Sequence, residues 1–200
     1  EAPAGVVYNM KICIWITKIF DLGGTKRVVS LLANELVKEH EVTIMTYEDR
    51  FREDRTMYHL SEDINVDFID NSQFVNKHHT PAFCARYLVK KLNDRSGMFN
   101  KKSLNPILAE AIFPQKTREK WVEYFNSQDY DVILTTASLS LRLAMIAPRL
   151  KAATIGWQHN CYDGYLHVKP VVFWQQENLL QQYLPNLDRY IVLSDYDKRD

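Results

Sequence analysis

A glycine pair followed by two basic residues is the first feature of the sequence whose residue types suit chemistry. Gly23 and Gly24 let the backbone approach a ligand closely, and free N–H groups at the start of a following helix bind anions such as phosphate. Lys26 and Arg27 oppose the helix macrodipole at a cost of roughly 0.3–1 kcal/mol each when exposed, which a nearby anion would offset. A tight turn with two solvated bases is the alternative, and the glycine pair alone does not decide between them.

A second polar turn, Gln158-His159-Asn160, follows an apolar run with strand character. A histidine can donate a hydrogen bond, accept one or carry charge near neutral pH, so His159 is a candidate for a binding or catalytic role. A loop histidine bonded to the backbone is the alternative interpretation. Tyr162 lies in the loop that follows, where it could shape the mouth of a pocket.

The elements that must position these two turns alternate between strand and helix. The apolar run at 11–16 is too continuous for a one-sided strand and predicts a strand buried on both faces of a parallel sheet. From Thr25 onward, apolar residues at helical spacing predict one stripe formed by Val28, Leu32 and Leu36 with the adjacent row Val29, Ala33 and Val37. Further strands are predicted at 42–47, 66–69, 131–136, 153–157 and 190–193, and helices at 81–92, 104–125, 138–150 and 171–183.

This order predicts an α/β fold, with a doubly wound, Rossmann-like parallel sheet that carries helices on both faces. Ligands collect outside the carboxyl ends of the strands in such sheets. Gly23-Gly24 and His159 both follow predicted strands, so we expect both turns at that edge.

An acidic residue about twenty places after a glycine turn can hold a ribose, and Glu48 or Asp49 is placed for that role. The complete Gly-x-Gly-x-x-Gly pattern is absent from the sequence, however. A nicotinamide or flavin enzyme is therefore disfavoured.

Composition limits the classes of partner and site. The 25 basic and 25 acidic residues give a net charge of zero, so no overall field recommends nucleic acid as a partner. Cys13, Cys84 and Cys161 are far apart and form no pair typical of a disulfide framework or a zinc site, which favours a reducing, cytoplasmic compartment. We expect no metal, because His78-His79 and the scattered carboxylates have no ligand spacing that suits one.

Both ends of the chain suggest where its one domain begins and ends. Met10 resembles a native start, so residues 1–9 are interpreted as an added extension or a flexible terminus, and residues 10–200 as one domain. Ser194-Asp195-Tyr196-Asp197 has the form of a capping box, and the helix it would begin has hardly started at Asp200. We therefore expect the chain to be one part of a longer protein.

A mostly helical section at about 81–126 is locally basic, with aromatic residues interleaved among its lysines and arginines. Such a mixture, at about 83–121, suits adsorption to an anionic membrane face, with each basic residue contributing on the order of 1 kcal/mol. A solvated helix face over an ordinary core is the alternative, and it is favoured because it is more common.

Several of these motifs together resemble the amino-terminal domain of retaining glycosyltransferases of family 4. The resemblance rests on Lys-Ile-x-Ile in the first strand, Gly23 to Val29, Leu32 to Leu36, His40 to Thr43, Asp131 to Ile133, His159-Asn160 and Asp188 to Ser194. It covers most of the chain from Met10 to Asp200, and 71–126 is the least similar part. Two departures are Thr25-Lys26, where the family has a small residue and a glutamate, and Glu39, where it has a glycine.

The resemblance implies the first half of a GT-B enzyme, whose second domain, absent here, would bind most of a nucleotide-sugar donor. It implies that Gly23 and Gly24 meet phosphate or sugar oxygens, with Thr25, Lys26, Arg27, Asn160, Tyr162 and Ser194 nearby. His159 would lie beside the reacting sugar, as the catalytic candidate. The acceptor would be a cell-surface glycan or a lipid-linked sugar, as in polysaccharide biosynthesis, and no metal or other cofactor is implied.

The leading hypothesis is therefore the acceptor-side domain of a glycosyltransferase that acts with retention, inactive when alone. It would be cytoplasmic, and could be peripheral at the inner membrane face. A non-catalytic module that binds a phosphorylated sugar or nucleotide is the alternative, and an interaction domain that docks a partner protein is a third.

Overall fold

The structure, a computed structural model, describes residues 9–74, 80–136, 138–161, 164, 166, 173–195 and 197–198. Its centre is one six-stranded sheet in which every pairing is parallel. The strands are β1 (Lys11–Ile16), β2 (Glu41–Thr46), β3 (Asn65–Phe68), β4 (Val132–Thr136), β5 (Ala153–Trp157) and β6 (Arg189–Ile191). Their order across the sheet is β3-β2-β1-β4-β5-β6.

Helices cover both faces of this sheet, which confirms the predicted doubly wound α/β class. They are α1 (Gly24–Leu36), α2 (Pro81–Ser96), α3 (Asn105–Ile112), α4 (Gln115–Ser127), α5 (Ser138–Ile146) and α6 (Glu177–Tyr183). Strand β1 is buried on both sides, as its apolar run predicts. Ile12, Ile14 and Ile16 pack with α1, while Cys13 and Trp15 pack into a separate core with α4 and α5.

The second core is built around aromatic rings. The Trp121 ring stacks on Phe74 at 3.8 Å between centroids and lies 4.6 Å from Trp15. Phe113 and Trp121 are both almost fully buried. The interpretation as an ordinary core is therefore correct for these two aromatic residues of the basic section.

The buried stripe of α1 is rotated relative to the prediction. Val29 and Ala33 are fully buried, and Leu32, Leu36 and Val37 are partly buried against the same core. Val28, predicted as part of the stripe, is instead 40% exposed, because the row that contains Val29 and Ala33 is the one that faces the sheet.

Helix α2 is longer than predicted, and several of its large apolar residues are exposed. It continues past Leu92 to Ser96 and ends at Gly97, whose left-handed φ of +66° suits glycine. Asn93, which lies beyond the predicted end of this helix, is buried, and its side chain donates to the Gln175 carbonyl at 2.7 Å. Leu88 and Leu92, whose apolar side chains and helical spacing favour a buried position, are exposed, and so is Tyr87.

The last two helices are shorter than predicted. Helix α5 ends at Ile146 and is followed by the 3₁₀ turn Ala147–Arg149. Helix α6 begins at Glu177, whereas the sequence predicts a start at Val171. Residues 171–172 lie outside the described residues. The positive φ of +57° at Gln175 interrupts helical geometry just before α6.

Candidate functional site

The carboxyl edge of the sheet is where this fold places a ligand. Strand β1 lies between β2 and β4, so the chain leaves β1 toward one face and β4 toward the other. The crevice at this reversal of strand order is the usual binding position in doubly wound sheets. The turn before α1 lies on one side of the crevice and the start of α5 lies on the other.

A buried carboxylate fixes the connection from β1 to α1. Glu48 is 8% exposed, and its Oε2 accepts hydrogen bonds from the backbone N–H groups of Ile19 at 2.6 Å and Phe20 at 2.9 Å. Glu48 is therefore a structural residue, since one of its two carboxylate oxygens holds this connection, and the prediction that it could hold a ribose stays a prediction. Asp49 accepts from the Phe51 N–H at 3.1 Å and caps the short turn Arg50–Arg52.

The amino terminus of α1 carries backbone donors that no side chain caps. Gly23 has no capping side chain, and its own N–H donates to the Tyr58 hydroxyl at 2.9 Å. The first N–H of the helix with an intrahelical partner is that of Arg27, which donates to the Gly23 carbonyl at 3.1 Å. Within the described residues, the N–H groups of Gly24, Thr25 and Lys26 have no acceptor and point out of the helix end.

Two cations lie beside these donors. The Lys26 ammonium folds back toward the Leu22 carbonyl at 3.4 Å, and a Cβ added to Gly23 would lie 3.0 Å from it. Arg27 is exposed, and the first turn of α1 contains no acidic residue. Uncapped donors, the helix dipole and two cations all favour an anion here.

Gly24 has no packing reason to be a glycine. A Cβ built at this position would meet no other atom within 4 Å, and the residue is exposed. Glycine costs up to about 1 kcal/mol relative to alanine in a helix, the full value applying to the interior, and Gly24 is the first residue of α1. Since the protein itself does not need the space, a ligand that approaches the backbone closely would explain it.

The His159 turn lies at the same edge, after β5. Buried Gln158 holds the turn, because its N–H donates to the Ile191 carbonyl at 2.8 Å and its side chain donates to the Asn160 carbonyl at 2.7 Å. The half-buried His159 ring lies 4.3 Å from the Trp157 ring, and burial lowers the pKa of His159. A neutral imidazole is thus favoured.

Only β4 separates β1 from β5 in the sheet. Neighbouring strands lie about 4.8 Å apart, which places the ends of β1 and β5 roughly 10 Å from each other. A ligand the size of a phosphorylated sugar can span that distance. The topology therefore brings the two predicted turns to one edge, as the sequence predicts.

The remaining predicted site residues are placed less centrally. Asn160 is exposed, and its carbonyl is held by Gln158. Ser194 follows β6 at the same edge, and its hydroxyl donates to the Asp197 carboxylate at 2.7 Å and accepts from the Asp197 N–H at 3.3 Å, as in a capping box. Tyr162 lies outside the described residues.

No known family model and no curated protein matches this chain. Among the residues that the structure describes, no cluster of histidine, cysteine, aspartate or glutamate side chains could hold a metal ion. No helix in the described part of the chain is both long and apolar enough to cross a membrane.

Sequence reasoning missed Tyr58 and did not predict the structural roles of Glu48 and Gln158. Glu48, Tyr58 and Gln158 each fix a turn through hydrogen bonds to its backbone. Glu48 comes directly after a strand, which signals a position at the edge but not the partner of its carboxylate. Tyr58 has no local signal, because its contact with Gly23 spans 35 residues.

The basic section forms helices α2 to α4, and part of its charge is neutralised internally. Glu110 lies 3.9 Å from Arg86 and 3.6 Å from Arg118, and Asp94 pairs with Lys90 at 2.8 Å. One side of α2 nevertheless presents an exposed apolar stripe with two basic residues beside it. We call it the α2 stripe, and it consists of Pro81, Cys84, Ala85, Leu88, Leu92, Lys91 and Arg95.

Proposed function

We propose that this chain is the acceptor-side domain of a retaining glycosyltransferase, which transfers a sugar from a nucleotide-sugar donor to a glycan or a lipid-linked acceptor. The observation that carries the proposal is the shared sheet edge of the uncapped α1 terminus and the His159 turn. The motifs that resemble family 4 glycosyltransferases lie on these same two turns.

The free N–H groups of Gly24, Thr25 and Lys26 would bind the diphosphate of the donor. Lys26 and Arg27 add positive charge where the leaving group becomes more negative, which favours departure of the nucleoside diphosphate. A second α/β domain, which this kind of enzyme requires, would supply most of the remaining donor contacts.

His159 would contact the reacting sugar on the other side of the crevice. Burial favours the neutral ring, which places no positive charge beside the developing positive charge of the anomeric carbon. A neutral imidazole nitrogen can instead form a polar contact there, and its position on a turn fixed by buried Gln158 keeps the ring oriented.

Replacement of His159 tests the enzymatic part of the proposal. In the protein that carries both domains, His159→Ala should lower turnover of its uridine or guanosine diphosphate sugar at least tenfold, equivalent to about 1.4 kcal/mol in the barrier. His59→Asn is the matched control, because His59 is exposed and has a positive φ that asparagine tolerates. Normal kinetics in His159→Ala would remove His159 from the site. We expect the 200-residue chain alone to transfer no sugar.

A non-catalytic module that binds a phosphorylated sugar or nucleotide is the second candidate. The uncapped donors of α1 favour it specifically, since they suit any phosphate and need no second domain. Both candidates predict phosphate-dependent shifts of the α1 amides. Only the enzyme predicts sugar transfer that depends on His159.

We also propose that the α2 stripe adsorbs to an anionic membrane. Its apolar side chains are exposed, Lys91 and Arg95 lie beside them, and the stripe itself contains no acidic residue. Each basic residue near such a surface contributes on the order of 1 kcal/mol. This location would bring the sheet edge to a lipid-linked acceptor.

Vesicle co-sedimentation tests this placement. At low salt, the chain should pellet with phosphatidylglycerol vesicles and much less with phosphatidylcholine vesicles. Lys91→Glu with Arg95→Glu should abolish the difference, whereas Arg149→Glu with Lys151→Glu, an equal charge change at exposed positions elsewhere, should preserve it. The absence of binding to phosphatidylglycerol at low salt would reject membrane adsorption.

A further inference from the structure

A cavity on the face of the sheet opposite α1 is lined by both aromatic rings and basic side chains. It has a volume of about 240 Å³ and lies between α2, the α3–α4 corner and α5. We call it the Arg142 pocket, and the lining residues that matter most are Asn71, Phe83, Arg86, Phe113, Trp121 and Arg142.

This pocket opens near the same carboxyl edge. Asn71 follows β3, and Arg142 lies in the second turn of α5, which follows β4. Buried Trp121 and Phe113 form part of its wall, while Tyr87 at its rim is 59% exposed. The pocket is therefore an apolar, aromatic cleft that solvent can reach.

Within the described residues, Arg142 is the cation of the pocket that has no carboxylate partner. Its guanidinium is half-buried and lies 5.8 Å from the centre of the Phe113 ring. The other cations nearby are paired, Arg86 with Glu110 and Lys90 with Asp94. No carboxylate in the described parts of the chain lies within 4.0 Å of Arg142.

The hydroxyl of Tyr47 does not supply the missing charge. It accepts hydrogen bonds from the Trp15 indole at 3.0 Å and from the Arg142 guanidinium, and both the charge and the hydrogen bond of Arg142 act to lower the pKa of Tyr47. Burial outweighs that effect and raises the pKa of Tyr47 to about 12. The phenol is thus neutral at physiological pH, and Arg142 keeps an uncompensated charge.

A half-buried guanidinium whose hydrogen-bond partner is the neutral Tyr47 hydroxyl keeps N–H donors for a ligand, and its planar fork matches the oxygens of a carboxylate or phosphate. We propose that the Arg142 pocket binds an anionic group, phosphate or carboxylate, whose aromatic or apolar remainder packs against Phe83, Phe113 and Trp121. This site is separate from the α1 terminus, from which the sheet divides it. It does not depend on the proposed glycosyl transfer.

Small aromatic anions test the site on the intact chain. Phenyl phosphate and benzoate should each be titrated against ¹⁵N-labelled protein. Phenol and inorganic phosphate, the two halves of phenyl phosphate, should be titrated separately for comparison. We expect at least one aromatic anion to shift the Trp121 indole signal saturably, and to bind more tightly than either half. Tighter binding of phenyl phosphate would identify phosphate as the natural group, and tighter binding of benzoate would identify carboxylate. The Trp174 indole, which donates to the Asp94 carbonyl outside this pocket, should not follow the same curve.

Substitution of Arg142 distinguishes a built site from general anion binding. Arg142→Gln should weaken binding roughly tenfold, about 1.4 kcal/mol. Arg142→Lys, which keeps the charge but loses the fork, should lie between Arg142→Gln and wild type. Arg149→Gln, at an exposed position shortly after α5, should bind like wild type.

The unfolding midpoint of each variant shows whether its fold is intact, and Arg142→Lys provides the comparison if Arg142→Gln is unstable. The proposal would be overturned if neither aromatic anion produced a saturable shift of Trp121, or if Arg142→Gln or its stable lysine counterpart bound as tightly as wild type.

Discussion

The two faces of the sheet end in two anion-favouring regions that are built in different ways. On the α1 face, the donors are backbone N–H groups at a helix end, and the neighbouring lysine and arginine are at the surface. On the opposite face, the donor is the Arg142 guanidinium, held among aromatic side chains. The first region suits a ligand that lies across the crevice, whereas the second suits a small anion with an apolar remainder.

The two regions depend on different amounts of the surrounding fold. The α1 terminus requires one turn, and that turn is held by Glu48 and Tyr58. The Arg142 pocket requires α2, α4 and α5 to pack correctly at once. Changes to the turn should therefore impair one region and leave the other intact.

The largest expected effect comes from Glu48→Ala. Two buried N–H donors would lose their acceptor, at about 1–3 kcal/mol each, so the free energy of unfolding should fall by about 2–6 kcal/mol. Urea denaturation measures this loss. Glu48→Gln should cost less, because its carbonyl oxygen can still accept.

Asp49→Ala is the matched control for Glu48→Ala, since Asp49 is exposed and caps only a short turn. At low urea, Glu48→Ala should lose the response of the α1 amides to uridine diphosphate and keep the Trp121 response to an aromatic anion. A variant as stable as wild type would show that Glu48 does not fix the turn.

Gly24→Ala should separate ligand binding from stability. The new Cβ meets no protein atom, so the free energy of unfolding should stay constant or rise by up to about 1 kcal/mol. Affinity for uridine diphosphate should nevertheless fall roughly tenfold, because the methyl group occupies the approach to the helix end. Calorimetric titration and urea denaturation measure the two quantities.

Gly97→Ala provides the opposite pattern for comparison with Gly24→Ala. Gly97 has a left-handed φ of +66°, and an added Cβ would overlap the Gln175 side chain. This variant should lose stability, and its remaining folded protein should bind normally. Wild-type affinity in Gly24→Ala would mean that no ligand approaches the backbone there.

The smallest expected effect concerns pH and His159. Burial lowers the pKa of His159 in the folded chain, so the unfolded chain binds this proton more readily. Stability should therefore fall slightly as the pH decreases below about 6.5, and the loss should level off below the folded pKa. NMR titration of the ring measures the pKa, and His159→Gln should reduce the slope of stability against pH. A folded pKa above the ordinary value would contradict a neutral ring at this edge.

The sequence predicted the α1 region well because its signals are local. The glycine pair, the helix that follows it and the buried strand before it lie within 11–36 and have recognisable periodicity. The carboxyl-edge position of His159 followed from the alternation of strands and helices. The Glu48 and Tyr58 contacts were not predictable, because their partners are fixed by tertiary packing.

The Arg142 pocket could not be predicted from the sequence, because its lining residues span 71–142 and share no local pattern. Helical periodicity also failed on α2, where Leu88 and Leu92 look like core residues but are exposed. The side of α2 that faces the core carries buried Asn93, which donates to the Gln175 carbonyl, and that contact spans 82 residues and has no local signal.

The most direct measurement is a titration of the ¹⁵N-labelled chain with uridine diphosphate, observed at the backbone amides. We expect saturable shifts at Gly24, Thr25 and Lys26 that persist in Arg142→Gln, since the sheet separates the two regions. If these three amides do not move, or if Arg142→Gln abolishes their shifts, the α1 terminus is not an independent phosphate site.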